Sequence, residues 1–367
     1  MMRPPFHAVR LVLPLLLFGY GFAANLSVLT GPPTPLTLPR ADLLAGGLTR
    51  DFEQQYKTTL PHFGPSFGVI GAVRYAVLGE ARHGALVGRD GWLFTSEETR
   101  PLPGAEELRA TIQKIKNVQT LLAAQGTQLV LLALPAKIDV ESAKSPDPAL
   151  SDAMAGLHAA FLTDLRAAGI TAIDLRQAMM GQEKPVFFAT DTHWTPFGAA
   201  QATGAVAAEL PQGPLTYTTG HGSAKPLTGD LIRYVTEDSL APMIGLLPEK
   251  VTLTPITADA APGDIFGEAL VDIVLIGTSY SANPDWGFAD ALTRALGREV
   301  VNHAEVGLGP VRPMQTYLKG DEFRDTPAQV VIWEFPVRYL TDPNLWPSNP
   351  ATSPLAGSDA SAVASNG

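Results

Sequence analysis

The chain has 367 residues, 46% of them hydrophobic and 17% charged, with a formal net charge of −10 and no cysteine. That apolar content supports a folded core and excludes chain-wide disorder. The absence of cysteine excludes disulfides, thiolate metal sites, iron–sulfur clusters and cysteine nucleophiles. The acidic balance excludes a chain-wide basic field for nucleic acid, so no nucleic-acid partner is expected.

Arg3 and Arg10 precede the apolar run 11–24, the pattern of an export signal. Gly21, Phe22 and Ala23 offer the small-residue spacing of a cleavage site. Extending the run to Leu29 approaches a membrane-spanning length but takes in Asn25 and Ser27. Residues 1–30 therefore read either as a cleaved signal or as a signal anchor that holds the chain at the inner membrane through 11–29. Either reading places the residues after about 30 outside the cytoplasm, and an ordinary buried helix is the plainer alternative. Residues 31–79 read as a linker, Pro-rich over 31–40, and an N-terminal extension.

Residues 88–94 (GRDGWLF) carry Asp90-Gly91 between apolar runs, a hairpin signal. Over 105–125, Leu108, Ile112, Ile115, Val118 and Leu122 share one helical face, closed by Gly126. Residues 128–134 predict a buried strand stopped by Pro135. A helix over 149–168 ends before Gly169, and 170–175 is strand-like. Thr195-Pro196 is an N-cap followed by Pro at the first helical position, opening a helix over 196–209. Residues 211–265 are irregular and carry no assignment. A buried strand over 271–276 leads into Gly277-Thr278-Ser279-Tyr280-Ser281. A helix over 285–297, a strand over 299–303, a helix over 311–319 and a strand over 329–335 follow. Residues 346–367 are small and polar and read as a disordered tail.

Strands alternating with helices predict an α/β fold with a mainly parallel sheet. Such sheets bind ligands beyond the carboxyl ends of their strands. Three informative segments stand at predicted strand ends: Pro135-Ala136-Lys137, Asp191-Thr192-His193-Trp194, and 277–281.

Ser279 lies on a Gly-containing turn after a buried strand, a placement that exposes a nucleophilic hydroxyl and leaves backbone N–H groups for an oxyanion. The same turn also suits a serine that only bonds its own backbone. A serine nucleophile needs a base, and His193 with Asp191 two residues before it supplies one with an orienting carboxylate. Taken alone, His193 also reads as a satisfied loop histidine, and Trp194 as either a wall of the site or core. Asp-x-His also recurs in metallophosphoesterases, but the further Asn and His clusters, HExxH and the phosphate-binding loop are missing, so neither a metal nor a cofactor is expected. Several residues have plainer readings. Lys137 reads as a surface or strand-end residue, Arg338 and Tyr339 as locally packed or paired, His221 and His303 as exposed or half-buried, Trp92 as core, and Ser281 as pointing away from the site.

Together, residues 88–94, Pro135-Ala136-Lys137, Asp191-Thr192-His193-Trp194, Gly277-Thr278-Ser279-Tyr280-Ser281 and the closing stretch 331–339 resemble the alginate O-acetyltransferase family, the AlgJ/AlgX-like proteins with an SGNH-hydrolase-like domain. The resemblance implies a flavodoxin-like three-layer α/β/α domain over 80–345 with permuted motif order. It implies a triad of Ser279 as nucleophile, His193 as base and Asp191 as orienter. It also implies periplasmic transfer of acetyl groups onto hydroxyls of an exported polysaccharide, with acetyl supplied by a membrane-bound O-acyltransferase partner. The Gly-x-Asn-Asp block of ordinary SGNH hydrolases is absent, and Trp333-Glu334 stands near where it would fall. The oxyanion donors are then the Ser279 amide and a backbone amide of the Gly307-Leu308-Gly309 loop, with Gly309 preferred. Tyr280 and Arg338 are further oxyanion or substrate candidates. An acetylesterase with the same triad and a non-catalytic scaffold of an export complex stay open as alternatives.

Overall fold

The computed structural model describes residues 6–30, 60–220, 222–259 and 272–346, with positions 49, 52, 53, 56 and 59 between. The Pro-rich stretch 31–40, His221 and all but the first residue of the expected tail lie outside the described residues.

Two compact units divide the chain, Met1–Leu78 and Gly79–Gly367. In the first, the leucine-rich sequence around Pro14 forms α1 (Phe6–Thr30), and a second apolar helix, α2 (Phe63–Leu78), follows. The sequence showed no sign of α2, because its apolar residues surround the helix without forming one stripe. Among the described residues no helix is long and apolar enough to cross a membrane. The expected anchor through 11–29, which Asn25 and Ser27 interrupt, therefore finds no support there.

The second unit opens with an antiparallel hairpin, β1 (Ala85–Val87) and β2 (Leu93–Thr95). Its connection is a tight turn over Arg89–Gly91 in which Asp90 adopts left-handed φ 55°, tolerable for a short polar side chain. The predicted stripe of α3 (Ala105–Ala124) is buried, and β3 (Gln128–Leu134) follows. Asp147 caps α4 (Pro148–Ala167) through a bond to the Ala149 amide, leading to β4 (Ala172–Asp174). Thr195 caps α5 (Pro196–Glu209) by accepting from the Gly198 amide.

The unassigned stretch holds two antiparallel ribbons. β5 (Tyr217–Thr219) pairs with β8 (Ile256–Ala258), and β6 (Ala224–Leu227) with β7 (Glu249–Thr252). Strands of three or four mostly exposed residues are too short to show a periodicity. After β9 (Ile273–Ile276) come α6 (Phe288–Leu296), β10 (Val300–Asn302), α7 (Val311–Lys319) and β11 (Val330–Pro336). Helix α6 starts three residues later than expected because Gly287, at φ +68°, breaks it from the turn before it.

The main sheet has the order β10-β9-β11-β3-β4, with every pair parallel. From β3 the chain steps outward to β4. It then crosses to β9 and steps outward the other way to β10, and β11 fills the gap. Every residue of β9 and β11, and all of β3 except Gln128, is buried. Successive strand residues face opposite sides, so the sheet is covered on both faces, the three-layer α/β arrangement. Because the strands are parallel, β3, β9 and β11 present their carboxyl ends on one edge, where the order reverses.

Candidate active site

The turn that follows β9 is built around a missing side chain. A Cβ on Gly277 would collide with the Glu334 carboxylate at the end of neighbouring β11, so only glycine fits. Thr278 caps the one-turn helix Ser279–Ala282 by accepting from the Tyr280 amide at 3.4 Å. Ser279 is thereby set at the first helical position, half-buried, where its own N–H has no intrahelical acceptor.

Residues 187–194 form a loop closed by a bridge between Phe187 and Trp194. Inside it, Asp191 Oδ1 accepts from the His193 amide at 2.8 Å and lies 2.6 Å from His193 Nδ1. His193 Nε2 lies 2.7 Å from Ser279 Oγ. With Asp191 ionised, Nδ1 donates to it, so Nε2 is the acceptor facing the serine hydroxyl. Burial would raise the Asp191 pKa, but the His193 bond and charge outweigh it and hold the carboxyl below its ordinary value. The imidazole is stacked on Trp286 at 5.3 Å and meets the edge of Tyr280 at 4.9 Å.

Asp191, His193 and Asp230 also bring one ligand atom each to within 4.8 Å of one another, close enough for a metal ion. Most of their polar atoms are already engaged. Asp191 Oδ2 accepts from the Asp230 amide at 2.9 Å, and Asp230 Oδ1 accepts from the Thr192 amide and hydroxyl at 2.7 and 3.1 Å. Both imidazole nitrogens face Asp191 and Ser279. A cation would have to break this network, so the donor set fits proton transfer better than metal ligation.

The structure corrects several single-residue expectations. Tyr280, expected at the oxyanion or substrate, is 1% exposed. Its hydroxyl donates to the Thr192 carbonyl at 2.8 Å and accepts from Arg338 Nη1 at 2.7 Å. Arg338 is also buried, with Nε on Glu97 at 3.0 Å and its guanidinium against the Tyr280 and Tyr339 rings. The pair therefore supports the loop around His193 from beneath and does not face a substrate. Gly309, at φ +65°, packs under Tyr339, and among the described residues no hydrogen bond ties it to the Ser279 turn. Ser281 does point away from His193, toward Glu334. Trp92 is core, and His303 is half-buried beside Glu322.

Lys137 is no surface residue. It is 1% exposed, and its Nζ donates to the carbonyls of Leu93, Ala189 and Asp191 at 2.6, 3.0 and 2.9 Å. Burial lowers its pKa, with Glu98 opposing. Glu98, equally buried, accepts from the Lys137 and Ile138 amides, and burial pushes its pKa up to about 7. Glu249 on β7 accepts from the Ala189 and Thr190 amides. Sequence reasoning missed Glu98, Asp230, Glu249 and Trp286, and it noted Glu334 without a role. A charged or aromatic residue outside a motif carries no local signal of what it will touch.

The family model of the SGNH hydrolase-like domain of acetyltransferase AlgX matches residues 85–337. The probable alginate O-acetylase AlgJ of Pseudomonas putida is 38% identical over 317 residues, covering 81% of each chain. That of Pseudomonas aeruginosa is 36% identical over 323 residues, again covering 81% of each. Among solved structures, the O-acetyltransferase domain of Pseudomonas putida AlgJ aligns with a TM-score of 0.62 at 36% identity, over 71% of this chain and 93% of that one. A parallel sheet of this order, the Asp-x-His and Gly-x-Ser segments at one edge and these matches together establish that the chain belongs to the family of SGNH-hydrolase-like O-acetyltransferases of the AlgX and AlgJ type.

Proposed function

We propose that the chain acetylates hydroxyls of an exported, alginate-like polysaccharide in the periplasm through an acetyl-Ser279 intermediate, with residues 80–345 as the catalytic domain. One observation carries the reading: a single imidazole lies 2.6 Å from Asp191 and 2.7 Å from Ser279 through its two nitrogens. The relatives named alginate O-acetylase supply the polymer class, and the basic and apolar N-terminus supports export. The acetyl donor is taken to reach the site through a membrane-bound O-acyltransferase.

In the first half-reaction Ser279 Oγ attacks the acetyl carbonyl and its proton passes to His193 Nε2. Asp191 stabilises the imidazolium that forms. The Ser279 amide faces the oxyanion. Collapse expels the donor's leaving group, which takes the proton from His193. In the second half-reaction His193 takes the proton of a sugar hydroxyl, whose oxygen attacks the acetyl-serine carbonyl. Ser279 leaves with the proton restored, and the product is the O-acetyl sugar.

The test incubates the protein with p-nitrophenyl acetate, quenches, digests and reads the Ser279 peptide by mass spectrometry, with uronic and neutral oligosaccharides in parallel. An acetyl adduct absent in Ser279→Ala and discharged by an oligosaccharide supports the reading. Discharge by water alone turns it to an acetylesterase. Turnover that survives Ser279→Ala sinks it, and a protein inert toward every ester with and without the membrane partner turns it to a scaffold.

A further inference from the structure

Glu334 is fully buried near the carboxyl end of β11. The β9–β11 pairing ends at Ile276 and Trp333, which sets Glu334 beside Gly277. Its Oε2 accepts from the Thr278 amide at 2.7 Å, the Thr278 hydroxyl at 3.0 Å and the Ser281 hydroxyl at 3.1 Å. Its Oε1 takes the Thr278 hydroxyl at 3.2 Å. These bonds bracket Ser279, one residue before it and two after. The titratable groups whose charges act on Glu334 are Arg338, Tyr280 and Tyr339, and Arg338 is the cation among them.

Stability alone gives little reason for a carboxylate here. Taking a charge out of water is expensive, and apolar residues of similar volume often serve a core as well. What the carboxylate does that no apolar side chain can is gather three donors of one short turn onto one atom. We propose that Glu334 is a positioning residue for the nucleophile: it fixes turn 277–281 so that Ser279 Oγ rests on His193 Nε2. The inference rests on the reading of Ser279 as nucleophile and adds what holds that serine in place. Reactivity depends steeply on such placement, a shift of about 1 Å being worth about 10²-fold.

The test measures two rates on the full chain: turnover of p-nitrophenyl acetate, and covalent labelling of Ser279 by a fluorophosphonate. Glu334→Leu is expected to lower both kcat and the labelling rate about 10²-fold with KM within about twofold. Glu334→Gln is expected to fall between, about tenfold down, because one amide oxygen can replace Oε2 as a neutral and roughly half as strong acceptor. Folding is checked by near-UV circular dichroism. Wild-type labelling in folded Glu334→Leu, or a loss confined to KM, overturns the proposal. Should Glu334→Leu fail to fold, Thr278→Val/Ser281→Ala removes both hydroxyls and keeps the carboxylate. About a tenfold loss of labelling there supports the clamp, and wild-type labelling overturns it. Failure of the underlying reading looks different: wild-type protein unlabelled at Ser279, or Ser279→Ala still turning over.

Discussion

Replacing Lys137 with methionine keeps the length of the side chain and removes the ammonium. Three buried carbonyls, those of Leu93, Ala189 and Asp191, then lose the donors that now sit at 2.6–3.0 Å. An orphaned buried acceptor costs about 1–3 kcal/mol, so three give about 3–9 kcal/mol. Methionine avoids the desolvation of a buried cation, which returns several kcal/mol. The expected net loss is of order 3 kcal/mol, with the effect concentrated where β2 meets the loop of Asp191. Lys137→Arg should not rescue it, because a planar guanidinium cannot direct three donors into a tripod of that size. Urea unfolding followed by fluorescence, compared at equal m-value, measures the loss. Because Asp191 is one of the three anchored residues, ester turnover should fall further than residual folding accounts for. A folded Lys137→Met within about 1 kcal/mol of wild type and with full turnover refutes the reasoning.

Asp191→Asn should lower kcat about 10³–10⁴-fold with little effect on KM, since the amide cannot hold the Nδ1–H tautomer; steady-state kinetics on p-nitrophenyl acetate reads it. Tyr280→Phe removes the hydroxyl between Arg338 and the Thr192 carbonyl, with an expected loss of about 1–2 kcal/mol in urea unfolding. Gly277→Ala drives a methyl group into the Glu334 carboxylate, with an expected loss of about 1–3 kcal/mol and slower Ser279 labelling. Burial pushes Glu98 from 4.5 to about 7, so between those values the native state binds more protons than the unfolded chain. The contribution of Glu98 to stability therefore falls as pH rises through that window, by of order 3 kcal/mol. Glu98→Gln should remove that slope in urea unfolding at successive pH values, and an unchanged slope counts against the assignment.

What the sequence determined by itself was local. The stripe from Leu108 to Leu122, the apolar runs of β3, β9 and β11, and the Thr195-Pro196 start of α5 follow from periodicity, burial and capping among near neighbours. Ser279, His193 and Asp191 were legible as candidates for a related reason: a turn after a strand and a one-residue spacing are local patterns, although each taken alone also has a plainer reading. Only the tertiary structure decided what surrounds them. The strand order that puts β11 between β9 and β3 brings Glu334 to Gly277, across 57 residues of chain, and Lys137 to the Asp191 carbonyl. Read along the chain, Lys137, Glu98, Glu334 and Arg338 are charges that belong in water. The fold buries them because each meets partners contributed by distant segments, and the free energy of a buried charge is set by those partners and not by its neighbours in sequence.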